Sequence, residues 1–256
     1  VLRRVKEDVV ADLPEKIEDT VMAQLAGEQR KLYLANQDRI AQQVQHREAG
    51  EFKKDKLKVL AELTKLRQIC CDPHLHYADY KAGSAKLDTC MELVHGALDG
   101  GHRILLFSQF TGMLDIIGKR LAKEDIAFLK LTGASSKESR AKMVAQFQAG
   151  EVPVFLISLK AGGVGLNLTA ADVVIHYDPW WNVAAQDQAT DRAHRIGQQH
   201  AVTVYKLIAK DTIEERIMQM QESKRDLVNS VLGGDGISSA LFTREDVLAL
   251  LGGDGR

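Results

Sequence analysis

Three side chains suited to binding phosphate recur in the segment QATDRAHRIGQ, residues 188–198. Gln188, Arg192 and Arg195 are four and then three residues apart, a spacing that places all three on one narrow face of an α-helix. Two guanidinium groups side by side repel each other unless an anion lies opposite. That anion is either a protein carboxylate in a structural ion pair or a ligand phosphate, which matches the forked guanidinium.

A glycine-rich segment, LKAGGVGLN (residues 159–167), is a second candidate binding feature, and three of four consecutive positions in it are glycine. Glycine lets the backbone come close to a phosphate or sugar and present its N–H groups. The alternative is a turn in which glycine only allows tight packing. Lys160 near the start of the segment and Asn167 at its end favour binding.

The only two tryptophans of the chain, Trp180 and Trp181, are adjacent in DPWWN. In a regular strand they would point to opposite faces, so one would be exposed unless something covers it. An exposed tryptophan near cations is suited to stacking on nucleic acid. The alternative is that both rings are buried. Asn182 is then the predicted N-cap of the helix that carries the two arginines, and Gly197 is predicted to end it.

A parallel sheet is the scaffold that the pattern predicts for these segments. Short apolar runs typical of strands covered on both faces alternate with helical patterns, which indicates a doubly wound α/β fold. In such a sheet, ligands bind at the carboxyl ends of the strands. Two helix starts are predicted, at Ser135 with Glu138 and at Asp211 with Glu214. The predicted strands are Arg103–Ser108, Ala127–Thr132, Pro153–Ser158, Asp172–Tyr177 and Val202–Ile208.

Helical patterns flank this alternation on both sides. Residues 1–80 are highly charged, and Leu57, Leu60, Leu63 and Leu66 are predicted to form a packing face. After residue 211, an amphipathic helix is predicted from Ile213 to about Val231, and a short one over 243–251. We therefore predict a helical region over residues 1–83, a strand-and-helix domain over 84–210, and a C-terminal helical brace and tail over 211–256.

Composition narrows the class of protein. The net charge of −1 over 256 residues means that any polyanion site must be a local patch. Cys70, Cys71 and Cys90 form no disulfide framework, which fits a reducing compartment. Packing explains the CCDPHLH segment, including His74 and His76, better than a metal site does, because adjacent cysteines suit one ion poorly. No apolar run approaches membrane-spanning length.

Two phosphate-chemistry motifs are missing from the sequence. There is no G-x-x-x-x-G-K-[ST] loop for nucleotide phosphates, and no Asp-Glu pair to hold Mg²⁺ and orient water. Arginines suited to binding phosphate, in a sequence without a nucleotide-binding loop, indicate that this chain supplies only half of a nucleotide-binding site. The expectation is that they act in trans, as fingers on a nucleotide held by another domain.

Several motifs, in the order in which they occur, resemble the second motor lobe of Swi/Snf-type DNA-translocating ATPases, which belong to helicase superfamily two. We expect the protein to be a bacterial member of this family. The upstream segments LRRVKEDVVADLPEKIE and LRQICCDPHL resemble the blocks that join the first lobe to the second. The motifs of the lobe itself are LLFSQF, LTGASSKESR, VFLISLKAGGVGLNLTAADVVIHYDPWWN and DQATDRAHRIGQ.

The resemblance implies a RecA-like lobe with an N-terminal helical region from the inter-lobe connection and a C-terminal bracing helix. It implies that Arg192 and Arg195 are arginine fingers facing the γ-phosphate, with Gln188 at the same interface. Gly165 and Asn167 would approach the nucleotide sugar, and Trp180 and Trp181 would couple the DNA track to ATP hydrolysis. The residues implied to grip one DNA strand are Ser108, Gln109, Thr132, Gly133, Ser158 and Lys160.

By resemblance, the cofactor is ATP with Mg²⁺, held mainly by the first lobe of the same polypeptide, and the other partner is double-stranded DNA. The chain alone should not hydrolyse ATP. The expected location is cytoplasmic, with the nucleoid in a bacterium or the nucleus in a eukaryote. Two alternatives stay open: a non-catalytic nucleic-acid or protein-binding module that keeps the fold, and a superfamily-two enzyme acting on RNA.

Overall fold

The apolar runs of the sequence form the strands predicted from them, side by side in a six-stranded parallel sheet with flanking helices. The computed structural model describes residues 13–46, 49–159, 161, 166–180, 183–223 and 243–252. A doubly wound α/β fold was the prediction, and it is confirmed. Within the described ranges, no helix is both long enough and apolar enough to span a membrane.

An N-terminal strand and two long helices come first, and from residue 85 onward strands are interspersed with helices. A 3₁₀ helix, Pro73–Leu75, follows the second of the two long helices. In chain order the elements are β1 (Lys16–Gln24), α1 (Gly27–Gln45), α2 (Ala49–Cys71), α3 (Ala85–Asp99), β2 (Ile104–Ser108), α4 (Thr111–Lys123), β3 (Phe128–Leu131), α5 (Lys137–Gln148), β4 (Val154–Ser158), β5 (Val173–His176), α6 (Val183–Thr190), β6 (Val202–Lys210), α7 (Ile213–Ser223) and α8 (Arg244–Leu250).

The strand order is β1-β6-β5-β2-β4-β3, so that β2 lies in the middle with β5 on one side and β4 on the other. The register places Ser108 opposite Ser158, and Phe107 opposite His176. Every residue of β2, β4 and β5 is buried, as continuous apolar runs predict. The carboxyl ends of these three strands therefore meet at one edge of the sheet.

Strand β1 is the element that the sequence prediction missed, because residues 1–80 were predicted to be helical. Its sequence, KIEDTVMAQ, is mostly exposed and carries charges at several positions. It lies at the edge of the sheet, next to β6. An edge strand is not covered on both sides and often carries charge, so it lacks the apolar run that marks the inner strands.

Two predicted helix starts are wrong in detail. The N-cap of α5 is Ser136, whose hydroxyl accepts from the Ser139 N–H, and not Ser135. Ahead of α7, Thr212 accepts from the Glu214 N–H at 3.2 Å, while Asp211 adopts a φ of 58°. The sequence pattern found both helices and placed each cap one residue early, an error typical of neighbouring polar residues that can all cap.

The predicted leucine face of α2 is only partly correct. Leu63 and Leu66 are buried, whereas Leu57 is 76% exposed. Steps of three residues at about 100° each drift backward, so residues 57 and 66 lie about 180° apart on the helix. Of the other helical predictions, α8 lies inside the predicted 243–251, and α7 is described up to Ser223, so its predicted extension to Val231 lies outside the described residues.

The chain divides into two compact units, each built from separate stretches of sequence. The sheet unit takes the described residues within Val1–Val21, Glu92–Tyr177 and Ala184–Lys206. The helical unit takes those within Met22–Met91, Asp178–Val183 and Leu207–Arg256. The sequence ranges 1–83, 84–210 and 211–256 stay a prediction about domains.

The helical unit has its own apolar core. It is made by facing residues of α1, α2, α7 and α8, such as Tyr33, Leu66, Ile217 and Leu250, all of them nearly inaccessible to solvent. The Gln37 amide donates to the Leu251 carbonyl at 2.7 Å and so joins the first helix to the last. This unit is therefore closed by residues from both ends of the chain.

Candidate functional site

The arginine segment, residues 191–198, is not helical as predicted. Helix α6 ends at Thr190, and the backbone continues in successive turns. The N–H groups of Ala193 and His194 both donate to the Thr190 carbonyl, at 3.0 and 3.1 Å. The prediction that one helix carries Gln188, Arg192 and Arg195 is therefore wrong. The predicted N-cap, Asn182, lies outside the described residues.

The Arg192 guanidinium is buried next to a second cation and lacks a protein partner for one of its nitrogens. The residue is 8% exposed. Within the described ranges, its Nε has no hydrogen-bond acceptor, and no carboxylate lies within ion-pair distance of Arg192 or Arg195. Burial, and then the charge of Arg195, lower the pKa of Arg192. The exposed Asp191 carboxylate opposes this shift through its charge. Of the two anions that the sequence left open, the described residues therefore place no carboxylate in ion-pair contact with the arginines.

The described end of the glycine-rich segment lies against these arginines. Arg195 Nη1 donates to the Leu166 carbonyl at 3.4 Å, and the Leu168 N–H donates to the Arg192 carbonyl at 3.0 Å. Between those two contacts, Asn167 is exposed. The structure thus brings Asn167 and the arginine pair together. Gly165 and Lys160 lie outside the described residues.

Gln198 fixes the far end of the arginine segment, a function that the sequence analysis did not assign. Its buried amide donates to the carbonyls of Ala171 and Ala193, at 2.7 and 3.1 Å. Its Oε1 accepts from the backbone N–H groups of Gln199 and His200. Gly197, with a φ of 102°, makes the preceding turn possible. Gln188, by contrast, is exposed on α6.

The hydroxyls predicted to grip DNA already make hydrogen bonds within their own loops. Ser108 Oγ accepts from the Phe110 N–H at 3.1 Å, and Ser158 Oγ accepts from the Ala161 N–H at 3.3 Å. Both serines are buried at the ends of adjacent strands. Thr132 Oγ1 accepts from the Ala134 N–H. These hydrogen bonds shape the loops after the strands.

The other predicted members of the DNA track differ in exposure. Gln109 and Thr132 are half-buried, and Gly133 is exposed in the turn after β3. None of the three is in a strand. All follow the carboxyl end of one, as the prediction required.

Trp180 follows β5 without belonging to it, and it is half-buried. Trp181 lies outside the described residues. The segment Asp178–Trp180 belongs to the helical unit and is held by side chains of two of its helices. The fully buried Arg67 of α2 donates to the Pro179 carbonyl, and Gln221 of α7 donates to the Trp180 carbonyl. These two contacts hold the backbone of the segment.

A buried ion pair in the helical unit was not found from sequence. Lys86 Nζ lies 2.5 Å from Glu214 Oε2, and both side chains are inaccessible to solvent. The Ala209 N–H also donates to Glu214, at 2.9 Å. Burial alone would lower the pKa of Lys86, but the nearby groups, with the Glu214 carboxylate first among them, together outweigh it and raise that pKa. The partners are 128 residues apart, so no local pattern pairs them.

The packing prediction for the CCDPHLH segment is correct for its cysteines only, because His74 and His76 are both exposed. Cys70 and Cys71 are buried in the helical unit, and His74 Nδ1 bonds to Asp72 at 2.7 Å. Among the described residues, no group of three or more histidine, cysteine, aspartate or glutamate side chains could hold a metal ion.

Comparison with known proteins gives the class of protein. Residues 85–197 match the helicase conserved C-terminal domain, and residues 1–75 match the SNF2-related domain. An uncharacterized ATP-dependent helicase of Mycoplasma pneumoniae is 39% identical over 251 residues, which are 98% of this chain and 24% of that protein. The chain thus spans about a quarter of the length of such relatives.

Solved structures of SWI2/SNF2 ATPase proteins from Sulfolobus solfataricus are also similar to this chain. Its SWI2/SNF2 ATPase C-terminal domain is 32% identical, with a TM-score of 0.75 over 92% of this chain and 98% of that one. Its SWI2/SNF2 ATPase core in complex with dsDNA is 35% identical, with a TM-score of 0.78 over 97% of this chain and 53% of that one. The present chain belongs to the SWI2/SNF2 ATPase family, and its sheet has the RecA-like fold of the family's C-terminal domain.

Proposed function

We propose that this chain is the second motor lobe of an ATP-dependent translocase on double-stranded DNA. A first lobe of the same polypeptide would hold ATP with Mg²⁺ and close on the arginine segment. Arg192 and Arg195 would then stabilise the charge on the transferring phosphoryl group, and Gln188 would lie at the same interface. Alternate closing and opening of the lobes would step the protein along one strand.

The observation that carries this proposal is that Arg192 and Arg195 lie side by side and, in the described ranges, no carboxylate lies within ion-pair distance of either. A buried guanidinium without a counter-ion is unfavourable, so it persists where an anion binds it during function. In the part of the chain that the structure describes, no carboxylate occupies that place. Asn167, beside the pair, would approach the nucleotide sugar together with Gly165.

The DNA track in this proposal runs over the carboxyl ends of β2, β3 and β4. Because Ser108, Thr132 and Ser158 already bond to their own loops, they would present those loops and their backbone N–H groups to phosphate. Gln109, Gly133 and Lys160 would complete the grip, and Trp180 and Trp181 would couple it to hydrolysis. The relative solved with double-stranded DNA supports this partner.

DNA-stimulated ATP hydrolysis by the protein that joins a first lobe to this chain tests the proposal. Arg192→Ala and Arg195→Ala should each reduce turnover about 1,000-fold while ATP binding survives, because arginine fingers act mainly in the transition state. Arg120→Ala is the matched control, since Arg120 of α4 pairs with Glu124, the residue that follows this helix. This chain alone should be inactive.

Each outcome assigns the function. Unchanged turnover in both arginine variants would mean that the segment is structural and would leave the non-catalytic binding module. Stimulation by RNA and not by duplex DNA would favour the RNA-directed alternative.

A further inference from the structure

We infer that His176 is a positioning residue for the arginine segment and acts through the hydroxyl of Thr190. This inference rests on the proposed function, because it concerns how the arginine fingers are held in place. Neither residue was singled out from the sequence, and they are 14 residues apart.

His176 is held firmly at the end of β5. The residue is 1% exposed, and its ring stacks on Phe107 of β2 with 5.5 Å between centroids. Its Nε2 lies 2.8 Å from Thr190 Oγ1, a buried hydroxyl. Both the ring and its hydrogen-bond partner therefore have fixed positions relative to the sheet.

Thr190 in turn determines where the arginine segment begins. It is the last residue of α6, and its carbonyl accepts the N–H groups of Ala193 and His194. Arg192 lies inside the turn closed by these two bonds. A shift of Thr190 would therefore move the Arg192 backbone directly, while Gln198 binds the segment after Arg192, through the Ala193 carbonyl.

The ring makes this contact in its neutral form. Burial, together with the Lys206 charge on β6, lowers the pKa of His176 to about 3, and Glu18 on β1 opposes the shift only weakly. Within the described ranges, Nδ1 has no hydrogen-bond partner. A bare lone pair is less costly to bury than an unpaired N–H, so the favoured tautomer carries its proton on Nε2 and donates to Thr190 Oγ1.

The competing explanation is that His176 is an ordinary core residue whose bond to Thr190 adds stability only. The two explanations differ in kinetics. A structural bond affects how much protein is folded, and a positioning bond affects the rate at saturating ATP and DNA with little effect on ATP binding.

Thr190→Val tests the inference, because it removes the hydroxyl and keeps the shape. In the two-lobe protein we expect kcat at saturating duplex DNA to fall about 10-fold, as for a misplaced catalytic group, with the KM for ATP within about twofold of wild type. Thr190→Ser should restore most of kcat. Thr89→Val is the matched control, since Thr89 bonds to the Ala85 carbonyl inside α3.

The outcomes separate this inference from the proposed function. If Thr190→Val keeps the wild-type kcat while Arg192→Ala abolishes turnover, the inference is wrong and the proposed function stands. If Arg192→Ala also keeps its turnover, the proposed function itself fails. Should Thr190→Val not fold, Thr190→Ser and Thr190→Ala give the same comparison, since they differ by one oxygen atom. Equal kcat in that pair overturns the inference.

Discussion

The helical unit and the sheet unit each bury a cation, in opposite circumstances. In the helical unit, the Lys86 ammonium meets the Glu214 carboxylate at 2.5 Å with no access to solvent. In the sheet unit, within the described ranges, the Arg192 guanidinium has no carboxylate within ion-pair distance and its Nε has no acceptor. A paired buried charge serves the fold, and one with no carboxylate in contact is a candidate for binding an anion. This contrast separates the structural cation from the candidate functional one.

Lys86→Met should give the largest loss of stability. It leaves the Glu214 carboxylate buried without its cation, which costs about 3–5 kcal/mol in the free energy of unfolding. Urea denaturation of this chain measures the effect. The double variant Lys86→Met with Glu214→Leu should recover most of the loss, because a buried ion pair is often replaceable by apolar side chains. Without such recovery, the pair does more than neutralise its own charges.

A second, smaller effect depends on pH and belongs to His176. Its pKa is about 3 in the folded chain and about 6.5 in an unfolded one, so the unfolded chain binds the proton first as the pH falls. The stability that neutral His176 contributes is therefore fully present above about pH 6.5 and is lost as the pH falls from there toward about 3. Between pH 7.5 and pH 5 the loss is about 2 kcal/mol.

The matched variant for this pH effect is His176→Phe, which keeps an aromatic ring next to Phe107. Urea midpoints at pH 7.5 and pH 5 should differ less in the variant than in the wild type. Equal pH dependence in the two proteins would place the titrating group elsewhere.

Arg192→Met should change stability by less than about 1 kcal/mol, or raise it, because no buried carboxylate loses its partner. This is the direct counterpart of Lys86→Met: the same kind of replacement is made at the other buried cation. A loss as large as that of Lys86→Met would show that Arg192 has a structural counter-ion, and the contrast between the two units would disappear.

The smallest expected change is in the alkylation of the three cysteine thiols, which should not react while the chain is folded. Burial raises the pKa of Cys90 to about 12, and it also raises the pKa values of Cys70 and Cys71. Only the thiolate reacts, so alkylation at pH 8 should leave all three unmodified in the folded chain and modify all three in denaturant. Mass spectrometry of intact protein reads the result. Rapid labelling without denaturant would contradict the burial of this part of the helical unit.

The elements that could be predicted from the sequence are those with a clear local pattern of apolar residues. The inner strands are continuous apolar runs, so their positions and the doubly wound sheet could be predicted. Strand β1 has no such run, and its place at the edge depends on its neighbour β6. Likewise, helical spacing suggested one face for Gln188, Arg192 and Arg195, although α6 ends at Thr190.

Within the candidate site, the sequence identified the arginines by type and spacing, and the structure adds the contacts that hold them. His176 with Thr190, and Gln198 with Ala171, are pairs fixed by the folded sheet. The same holds for Arg67 with Pro179 and for Lys86 with Glu214, which come from distant parts of the chain. No period of 2 or 3.6 residues reports such contacts, because each depends on tertiary packing.

The bond between Gln37 and the Leu251 carbonyl has a consequence for biosynthesis. Gln37 of α1 leaves the ribosome 214 residues before its partner Leu251, the residue that follows α8. At about 5–20 residues per second, this takes about 10 to 40 s, during which the apolar face of α1 lacks its last cover. Nascent chains stalled before residue 243 should therefore be cut by protease within α1, and chains stalled well after residue 251 should be protected. Equal protection of the two would show that the remaining helices cover this face without α8.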